Sequence, residues 1–220
     1  MQADYQNSYF QSRFQPHEER DRIWNEIAAY LQARYIPTDA HVLDLGAGYC
    51  SFINQIVATK RFALDLFPRL GDYAAPGVES IISTCTDLSR FNSASLDVVF
   101  SSNLLEHLTR DNIDQTMNEV LRVLRPGGYF LMIQPNFRFC SREYFDDYTH
   151  LQVFTHVSLP DWLMSRGFKI HRVEPRFIPF SFKSRLPKWP ILARIYLRLP
   201  WRPLAKQMLV VAQRPDRKNL

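Results

Sequence analysis

The 220-residue sequence has few cysteines and no long uninterrupted apolar segment. Its three cysteines, Cys50, Cys85 and Cys140, show neither metal-ligand spacing nor a disulfide framework, which favours a reducing environment. No stretch approaches the roughly 20 apolar residues that a membrane-spanning helix requires. Residues 1–22 are polar and charged, so we expect no secretory signal there. These absences predict a cytoplasmic protein without a metal site.

The sequence does contain enough apolar residues for one hydrophobic core. Apolar residues make up 46% of the chain, which excludes an intrinsically disordered protein. A length of 220 residues is sufficient for one domain and too short for two ordinary ones. We therefore predict a single domain spanning residues 1–220.

Positive charge is concentrated near the C-terminus. From Arg176 onward the sequence contains eleven Lys and Arg and one acid, Asp216, for a net charge of +10. The whole chain carries +5, so the preceding part carries −5. Aromatic and aliphatic residues alternate with these cations. Three interpretations stay open: a solvated helical lid, a surface for anionic lipid or a phosphorylated carrier, and a nucleic-acid surface without a recognised binding module.

Seven short apolar segments have the character of strands that are buried on both faces of a sheet. They comprise residues 41–45, 62–66, 79–83, 96–100, 129–133, 168–173 and 208–212. Such segments are typical of parallel sheets, in which helices cover both faces. The sequence therefore predicts an α/β fold rather than an all-β one.

Three helices are predicted around these strands. The first lies between Pro16 and Pro37, since proline is tolerated in a first turn and closes a helix at its end. The second is capped by Thr109 or Asp111 and stops at the Pro-Gly-Gly motif of residues 126–128. A third begins with a capping-box pattern at Ser158. Strands separated by helices predict a doubly wound, mostly parallel sheet.

Glycines and carboxylates follow the predicted strands. The first strand contains Asp44 and leads into Gly46 and Gly48, and glycine lets a ligand approach the backbone closely. Asp65, nineteen residues beyond Gly46, can accept both hydroxyls of a ribose. Asp87 follows the third strand, where a carboxylate can bond an adenine amino group. Because open α/β sheets bind ligands at the carboxyl ends of their strands, these residues predict a nucleotide-like ligand.

In their order and spacing, these motifs resemble those of class I S-adenosylmethionine (SAM)-dependent methyltransferases, more narrowly the small-molecule type 11 or type 23 group. The matching elements are residues 42–48, Asp65, Asp87, residues 96–108 and residues 121–128. The resemblance is close from Asp39 to Met132. It implies a seven-stranded Rossmann-like sheet, with the last strand antiparallel beside the fifth, and SAM as the cofactor.

The resemblance also implies which residues bind the cofactor. They are Asp44, Gly46, Ala47, Gly48, Asp65, Leu66, Asp87, Leu88, Ser102 and Asn103. Asp44 and the glycines would hold the methionine end, Asp65 the ribose, and Asp87 with Leu88 the adenine. The last two residues would line the cleft near the sulfonium. Cys50 departs from the pattern, since the family usually has a third glycine there.

Methyl transfer from SAM depends mainly on holding the acceptor in line with the methyl group. A base is needed only when the acceptor is protonated at working pH. Residues 135–157 form an insertion where related enzymes place acceptor contacts. His150 is the first candidate for a base, Tyr148 the second and His107 the third; a structural role is the alternative for each histidine.

Taken together, the sequence predicts a SAM-dependent methyltransferase with an O- or N-directed small-molecule, glycan-like or lipid-linked acceptor. Residues 1–36 would form an N-terminal flap and helix, and residues 177–206 a basic aromatic lid. Two alternatives remain: a non-catalytic SAM-binding module, or an RNA methyltransferase that uses the basic C-terminal segment. A nicotinamide-dependent oxidoreductase is disfavoured because Ser51 stands where its glycine motif needs glycine or alanine. Contact with an anionic membrane surface is a further expected partnership of the basic segment.

Overall fold

A computed structural model describes residues 18–179 and 189–216, and its strands form one mixed sheet. The strands are β1 (His41–Leu45), β2 (Lys60–Asp65), β3 (Val78–Ile82), β4 (Leu96–Ser102), β5 (Leu124–Pro135), β6 (Lys169–Pro179) and β7 (Ala205–Gln213). Their order across the sheet is β3-β2-β1-β4-β5-β7-β6. Strands β1 to β5 pair in parallel, whereas β7 lies antiparallel between β5 and β6. The predicted seven-stranded α/β fold with an antiparallel last strand is confirmed.

Five α-helices accompany the sheet in the described residues. They are α1 (Glu18–Tyr35), α2 (Arg110–Val123), α3 (Phe137–Cys140), α4 (Ser158–Ser165) and α5 (Pro190–Arg198). The part of the predicted N-terminal flap before Glu18 lies outside the described residues. None of the helices described is both long and apolar enough to cross a membrane.

Strand and helix do not alternate as regularly as the sequence predicts. The connections from β1 to β2 and from β2 to β3 contain the 3₁₀ turns Ile53–Gln55 and Leu70–Asp72, not α-helices. Aromatic rings fill the space instead: the Tyr49 and Tyr73 centroids lie 4.6 Å apart, and those of Phe67 and Tyr73 lie 5.7 Å apart. Among the connections between the parallel strands β1 to β5, all of which the structure describes, only the one from β4 to β5 contains an α-helix, α2.

Apolar side chains bury both faces of the sheet. Along β4, Val99 belongs to one core cluster, and its neighbours Val98 and Phe100 belong to the other. Helices α2 and α4 contribute to the first cluster, and α1 and α5 to the second. This two-sided burial explains why the central strands are continuous apolar segments in the sequence.

The two ends of α2 differ in how well the sequence predicts them. Thr109 caps its start as predicted, since its Oγ1 accepts a hydrogen bond from the Asn112 backbone N–H at 3.3 Å. The helix ends at Val123, however, three residues before the predicted stop. The Pro-Gly-Gly motif of residues 126–128 lies inside β5, at a register shift in its pairing with β4. The motif therefore forms an irregularity within the strand instead of terminating the helix.

The start of α4 also differs from the prediction. Ser158 does not begin a capping box with the residues that follow it. Instead the Ser158 backbone N–H donates to Thr155 Oγ1 at 3.1 Å, and the Thr155 backbone N–H donates to Ser158 Oγ at 3.0 Å. The reciprocal pair of hydrogen bonds thus joins Thr155 to Ser158 and lies three residues earlier in the chain than predicted.

Helix α5 and the chain that follows it are attached to α1 and β6. Arg194 forms two hydrogen bonds of 2.8 Å to Glu26 on α1. Arg202 is buried and forms an ion pair with Glu174 on β6, whose other oxygen accepts a hydrogen bond from Tyr30 at 2.9 Å. These contacts fix one face of the C-terminal basic segment against the body of the protein.

Candidate cofactor and acceptor site

The glycine-rich turn and the second carboxylate are in direct contact at the carboxyl end of the sheet. Gly46 and Gly48, which follow β1, have φ angles of +78° and +52°, a conformation that glycine adopts readily. The Gly48 backbone N–H donates to Asp65 Oδ2 at 2.8 Å, and the Phe67 backbone N–H donates to Oδ1 at 2.9 Å. The structure therefore brings together the two motifs from which the sequence predicts a nucleotide-like ligand.

Two carboxyl groups, those of Asp44 and Asp65, lie beside the glycine turn. Asp44 is buried, and burial together with the charge of Asp65 raises its pKa well above the ordinary range. Burial also raises the pKa of Asp65, although hydrogen bonds from backbone N–H groups, Gly48 first, oppose that shift. A carboxylate pair of this kind suits a ligand that brings hydroxyl donors and positive charge.

The residues expected around the adenine differ in exposure. Leu66 is 46% exposed directly after β2 and can cover an aromatic ring. Asp87 is exposed, and hydrogen bonds from Ser89 hold the pKa of its carboxyl below the usual value, so it is ionised. Leu88, in contrast, is fully buried in the core and presents no open apolar surface to a ring. Leu66 is thus better placed than Leu88 for ring contact.

Ser102 and Asn103 lie where β4 ends, and a residue that the sequence did not single out holds them in place. Asn103 has a φ of +50°, in the left-handed region that few side chains adopt. Gln207 on β7 donates to Asn103 Oδ1 at 2.9 Å, and Asn103 Nδ2 donates to Ser102 Oγ at 3.2 Å. No local sequence pattern signals Gln207, because it reaches Asn103 through sheet pairing.

Cys50 has a left-handed backbone conformation, of the kind that glycine adopts most readily. Its φ is +57°, and its backbone N–H donates to Ala47 O at 2.8 Å, which closes the turn. The left-handed conformation costs a non-glycine residue about 1–2 kcal/mol. The side chain is fully buried, and burial raises the thiol pKa to about 12. The loop therefore takes a left-handed conformation at Cys50 although no glycine stands there.

A cluster of three side chains, Glu106, His107 and His150, lies next to the end of β4; we call it the Glu-His-His cluster. One potential ligand atom from each residue lies within 4.8 Å of the others. The His107 and His150 ring centroids are 4.9 Å apart. Two of the three predicted base candidates thus meet, whereas Tyr148 is 64% exposed.

Backbone hydrogen bonds bring the insertion that carries His150 to this turn. The backbone N–H groups of Leu151 and Gln152 donate to the Glu106 carbonyl at 2.7 and 3.1 Å. The Tyr144 hydroxyl donates to the Gln152 carbonyl, and its ring lies 4.5 Å from that of His150. The position of His150 is consequently fixed by main-chain contacts on the residues that follow it.

Glu106 is a functional candidate that is not among the base candidates predicted from the sequence. The side chain is 1% exposed, and burial raises its pKa to about 8. When the Gln134 amide is oriented so that both its nitrogen and its oxygen form hydrogen bonds, the nitrogen donates to Glu106 Oε2 at 2.6 Å. Among the described residues, Glu106 Oε1 has no hydrogen-bond partner. A carboxyl group next to a histidine, with leucines on both sides at Leu105 and Leu108, is the sequence signal that could have identified it.

His107 is held by a relay of hydrogen bonds. The Thr149 hydroxyl donates to Asp147 Oδ1 at 2.6 Å, and Thr149 Oγ1 lies 2.9 Å from His107 Nδ1. Since the Thr149 proton points to the carboxylate, Oγ1 accepts a hydrogen bond from His107 Nδ1–H. Burial, followed by the charge of His150, lowers the pKa of His107 to about 4, so the ring is neutral.

A surface cavity of about 290 Å³ lies elsewhere. It is lined by residues 32–37 of the first helix and its end, and by Asp97, Val98, Arg125 and residues 127–129. These residues lie at the amino ends of β4 and β5, whereas open α/β sheets bind ligands at the carboxyl ends. The cavity is therefore separate from the candidate site.

Comparison with known proteins finds similarity to methyltransferases. Residues 43–132 match a methyltransferase domain family, type 11. A malonyl-[acyl-carrier protein] O-methyltransferase from Methylococcus capsulatus is 29% identical over 167 residues, which cover 68% of this chain. The chain spans 59% of the length of that curated relative.

Solved structures share the fold at low identity. One is a complex of the Haloferax volcanii Trm112 methyltransferase activator with a methyltransferase: TM-score 0.65, 20% identity, covering 89% of this chain and 91% of that one. Another is a SAM-dependent methyltransferase from Thermotoga maritima: TM-score 0.65, 15% identity, covering 96% of this chain and 97% of that one. The family and the fold imply SAM as the cofactor, and the contact between the glycine turn and Asp65 fits it. Residues 43–132 thus match the type 11 methyltransferase domain family, and the described fold is one that solved SAM-dependent methyltransferase structures share.

Proposed function

We propose that this protein transfers a methyl group from SAM to an acceptor bound beside the Glu-His-His cluster. The observation that carries the proposal is the hydrogen bond from the Gly48 N–H to Asp65, because it joins the glycine turn to the ribose-binding acid. Asp44 and residues 46–48 would hold the methionine end, and Leu66 with Asp87 the adenine. SAM supplies an activated methyl group, so the protein's contribution is chiefly to position the two reactants.

The acceptor atom that this geometry favours is oxygen. Removal of a proton or polarisation of the oxygen assists transfer to a hydroxyl acceptor, and His107 and His150 are groups available for it. The name of the Methylococcus capsulatus relative also describes O-methylation, of a carrier-bound group. We propose a small-molecule, glycan-like or carrier-linked oxygen acceptor, with Tyr148 as a contact at the exposed edge.

Calorimetric titration with SAM and with NAD tests the cofactor assignment. We expect one molecule of SAM or of its demethylated product to bind per chain, and no heat with NAD. Binding of NAD but not SAM would instead support a dinucleotide oxidoreductase. If SAM binds but no methyl group reaches any extracted acceptor fraction, the non-catalytic binding module becomes the better description.

We also propose that the C-terminal basic segment contacts an anionic membrane surface. Seven large apolar side chains are exposed on and around α5: Trp189, Ile191, Leu192, Ile195, Leu199, Trp201 and Leu204. Between residues 180 and 204 the sequence has six Lys and Arg and no acid. A helix with exposed apolar and aromatic residues and flanking cations suits the lipid interface. Such contact would bring a lipid-linked acceptor to the protein.

Vesicle co-sedimentation measures this contact directly. We expect binding to vesicles that contain phosphatidylglycerol, weaker binding to neutral vesicles, and release at high salt. A double variant, Ile191→Gln with Ile195→Gln, is expected to bind at least tenfold more weakly, because each buried apolar side chain contributes about 1.5–3 kcal/mol. The matched control, Val57→Gln with Met164→Gln, changes two exposed apolar residues elsewhere and should bind normally. Equal loss in both variants, or no vesicle binding by the wild type, argues against the proposal.

A further inference from the structure

The Glu-His-His cluster has the composition of a transition-metal site. Two imidazoles and one carboxylate are ligands that zinc and similar divalent ions accept, and a fourth position remains for another ligand. The three side chains come from the 3₁₀ turn Leu105–His107 and from the insertion that contains His150. Their potential ligand atoms lie within 4.8 Å of one another. Ligand atoms on tetrahedral zinc lie about 3.4 Å apart, so closure requires shifts of about 1 Å.

A second, independent observation points to a ligand at this place. Glu106 is 1% exposed, and its Oε1 has no hydrogen-bond partner among the described residues. A buried carboxylate oxygen without a partner costs free energy, since it has lost its water and gained nothing in return. Gln134 meanwhile orients the other oxygen, as outer-shell partners of metal ligands do. A cation bound to Oε1 would satisfy this atom.

The surroundings of His107 also match those of a metal ligand. Thr149 and Asp147 form a hydroxyl–carboxylate relay on Nδ1, which fixes the ring and the tautomer. Relays of this kind orient ligating histidines and raise the basicity of the other ring nitrogen. The Glu106 carbonyl accepts two backbone N–H groups from the residues after His150, so the insertion is held in place without the ion.

We propose that Glu106, His107 and His150 bind a divalent transition-metal ion of the zinc class. This departs from the expectation of no metal site, which rested on cysteine spacing and took no account of histidine and glutamate. The imidazole ligands favour zinc or cobalt over magnesium. The functional part of the inference rests on the proposed methyl transfer. Glu106 follows Asn103 by three residues, so an ion bound to it would lie on the proposed acceptor side. There it would act as a Lewis acid on an acceptor oxygen.

Metal titration of the full chain, stripped with EDTA and without SAM, tests the site itself. We expect one Zn²⁺ or Co²⁺ per chain, a visible Co²⁺ absorption band of low-coordinate N/O ligation, and a higher thermal midpoint with metal. Magnesium should bind far more weakly. Loss of an outer-shell partner typically costs about 10–100-fold in affinity, so Glu106→Gln and His150→Gln should each weaken binding about a hundredfold or more.

A matched control distinguishes this site from histidine binding in general. His171→Gln removes an exposed histidine on β6, outside the cluster, and should leave stoichiometry and affinity unchanged. Glu106→Gln preserves side-chain shape, so a normal circular dichroism spectrum is expected to accompany its loss of metal. No stoichiometric metal uptake by the wild type, or equal affinity in Glu106→Gln and His150→Gln, would overturn the proposal. Because no SAM is present, this result is independent of whether methyl transfer is observed.

Discussion

Replacing Asp65 by alanine is expected to weaken SAM binding by about a hundredfold or more. In the proposed site the carboxylate accepts both ribose hydroxyls, and hydrogen bonds to a charged group contribute about 1.5–3 kcal/mol each. A loss of about 3 kcal/mol corresponds to about a hundredfold in affinity. The variant also loses the two backbone contacts with Gly48 and Phe67, so the glycine turn becomes less well ordered. Isothermal titration calorimetry with SAM measures the effect.

Folding should change little in this variant, because burial raises the pKa of the Asp65 carboxyl and its removal relieves that desolvation. Asp161→Ala is the matched control, since it removes an exposed acid from α4, outside the cofactor site. We expect this control to bind SAM normally. Unchanged SAM affinity in Asp65→Ala would mean that the ribose site is assigned to the wrong residue.

Gly128→Ala is expected to lower stability by about 3 kcal/mol without affecting the intrinsic SAM affinity. A Cβ at this position would lie 2.9 Å from both Arg125 O and Asp97 O, which are backbone atoms that cannot rotate away. Forced overpacking of this kind costs about 1–3 kcal/mol, and two fixed carbonyls place this case at the upper end. For a chain of this size the thermal midpoint should fall by about 6–12 °C. Differential scanning calorimetry provides the measurement.

Gly71→Ala is the internal comparison for that prediction. Its added Cβ would meet only Ser80 Oγ at 3.4 Å, an ordinary contact, so we expect a change within about 0.5 kcal/mol. Gly128 lies toward the amino end of β5, remote from the cofactor turn, so SAM titration below the midpoint should give the wild-type value. A Gly128→Ala thermal midpoint close to that of Gly71→Ala would contradict the packing described at the β4–β5 irregularity.

Asp65 and Gly128 illustrate what the sequence could and could not predict. Asp65 was identifiable from sequence because its position after an apolar strand and its distance from Gly46 are local properties of the chain. The role of Gly128 was misjudged, because a Pro-Gly-Gly motif after a helical stripe has the same pattern whether it ends a helix or distorts a strand. Only the pairing of β5 with β4 distinguishes the two cases, and such pairing depends on residues far apart in sequence.

The Glu-His-His cluster illustrates the same limit on the acceptor side. Glu106 and His107 are adjacent in sequence, but His150 reaches them only through the backbone hydrogen bonds that Leu151 and Gln152 donate to the Glu106 carbonyl. The contact between Gln207 and Asn103 likewise depends on the antiparallel placement of β7 beside β5. Local patterns therefore suffice to predict that the glycine turn and Asp65 lie together. The acceptor side depends on long-range contacts that no spacing rule encodes.

The burial of every cysteine has a practical consequence for experiments on this protein. Cys50, Cys85 and Cys140 are each less than a tenth exposed, and burial raises the pKa of all three thiols. Thiolate is the form that reacts with maleimides and alkylating reagents, so the native chain offers almost none of it near neutral pH. A single cysteine introduced at an exposed position would thus carry a fluorophore or spin label, while the natural thiols take up very little of it. The motion of any chosen segment can then be followed without first removing the natural thiols.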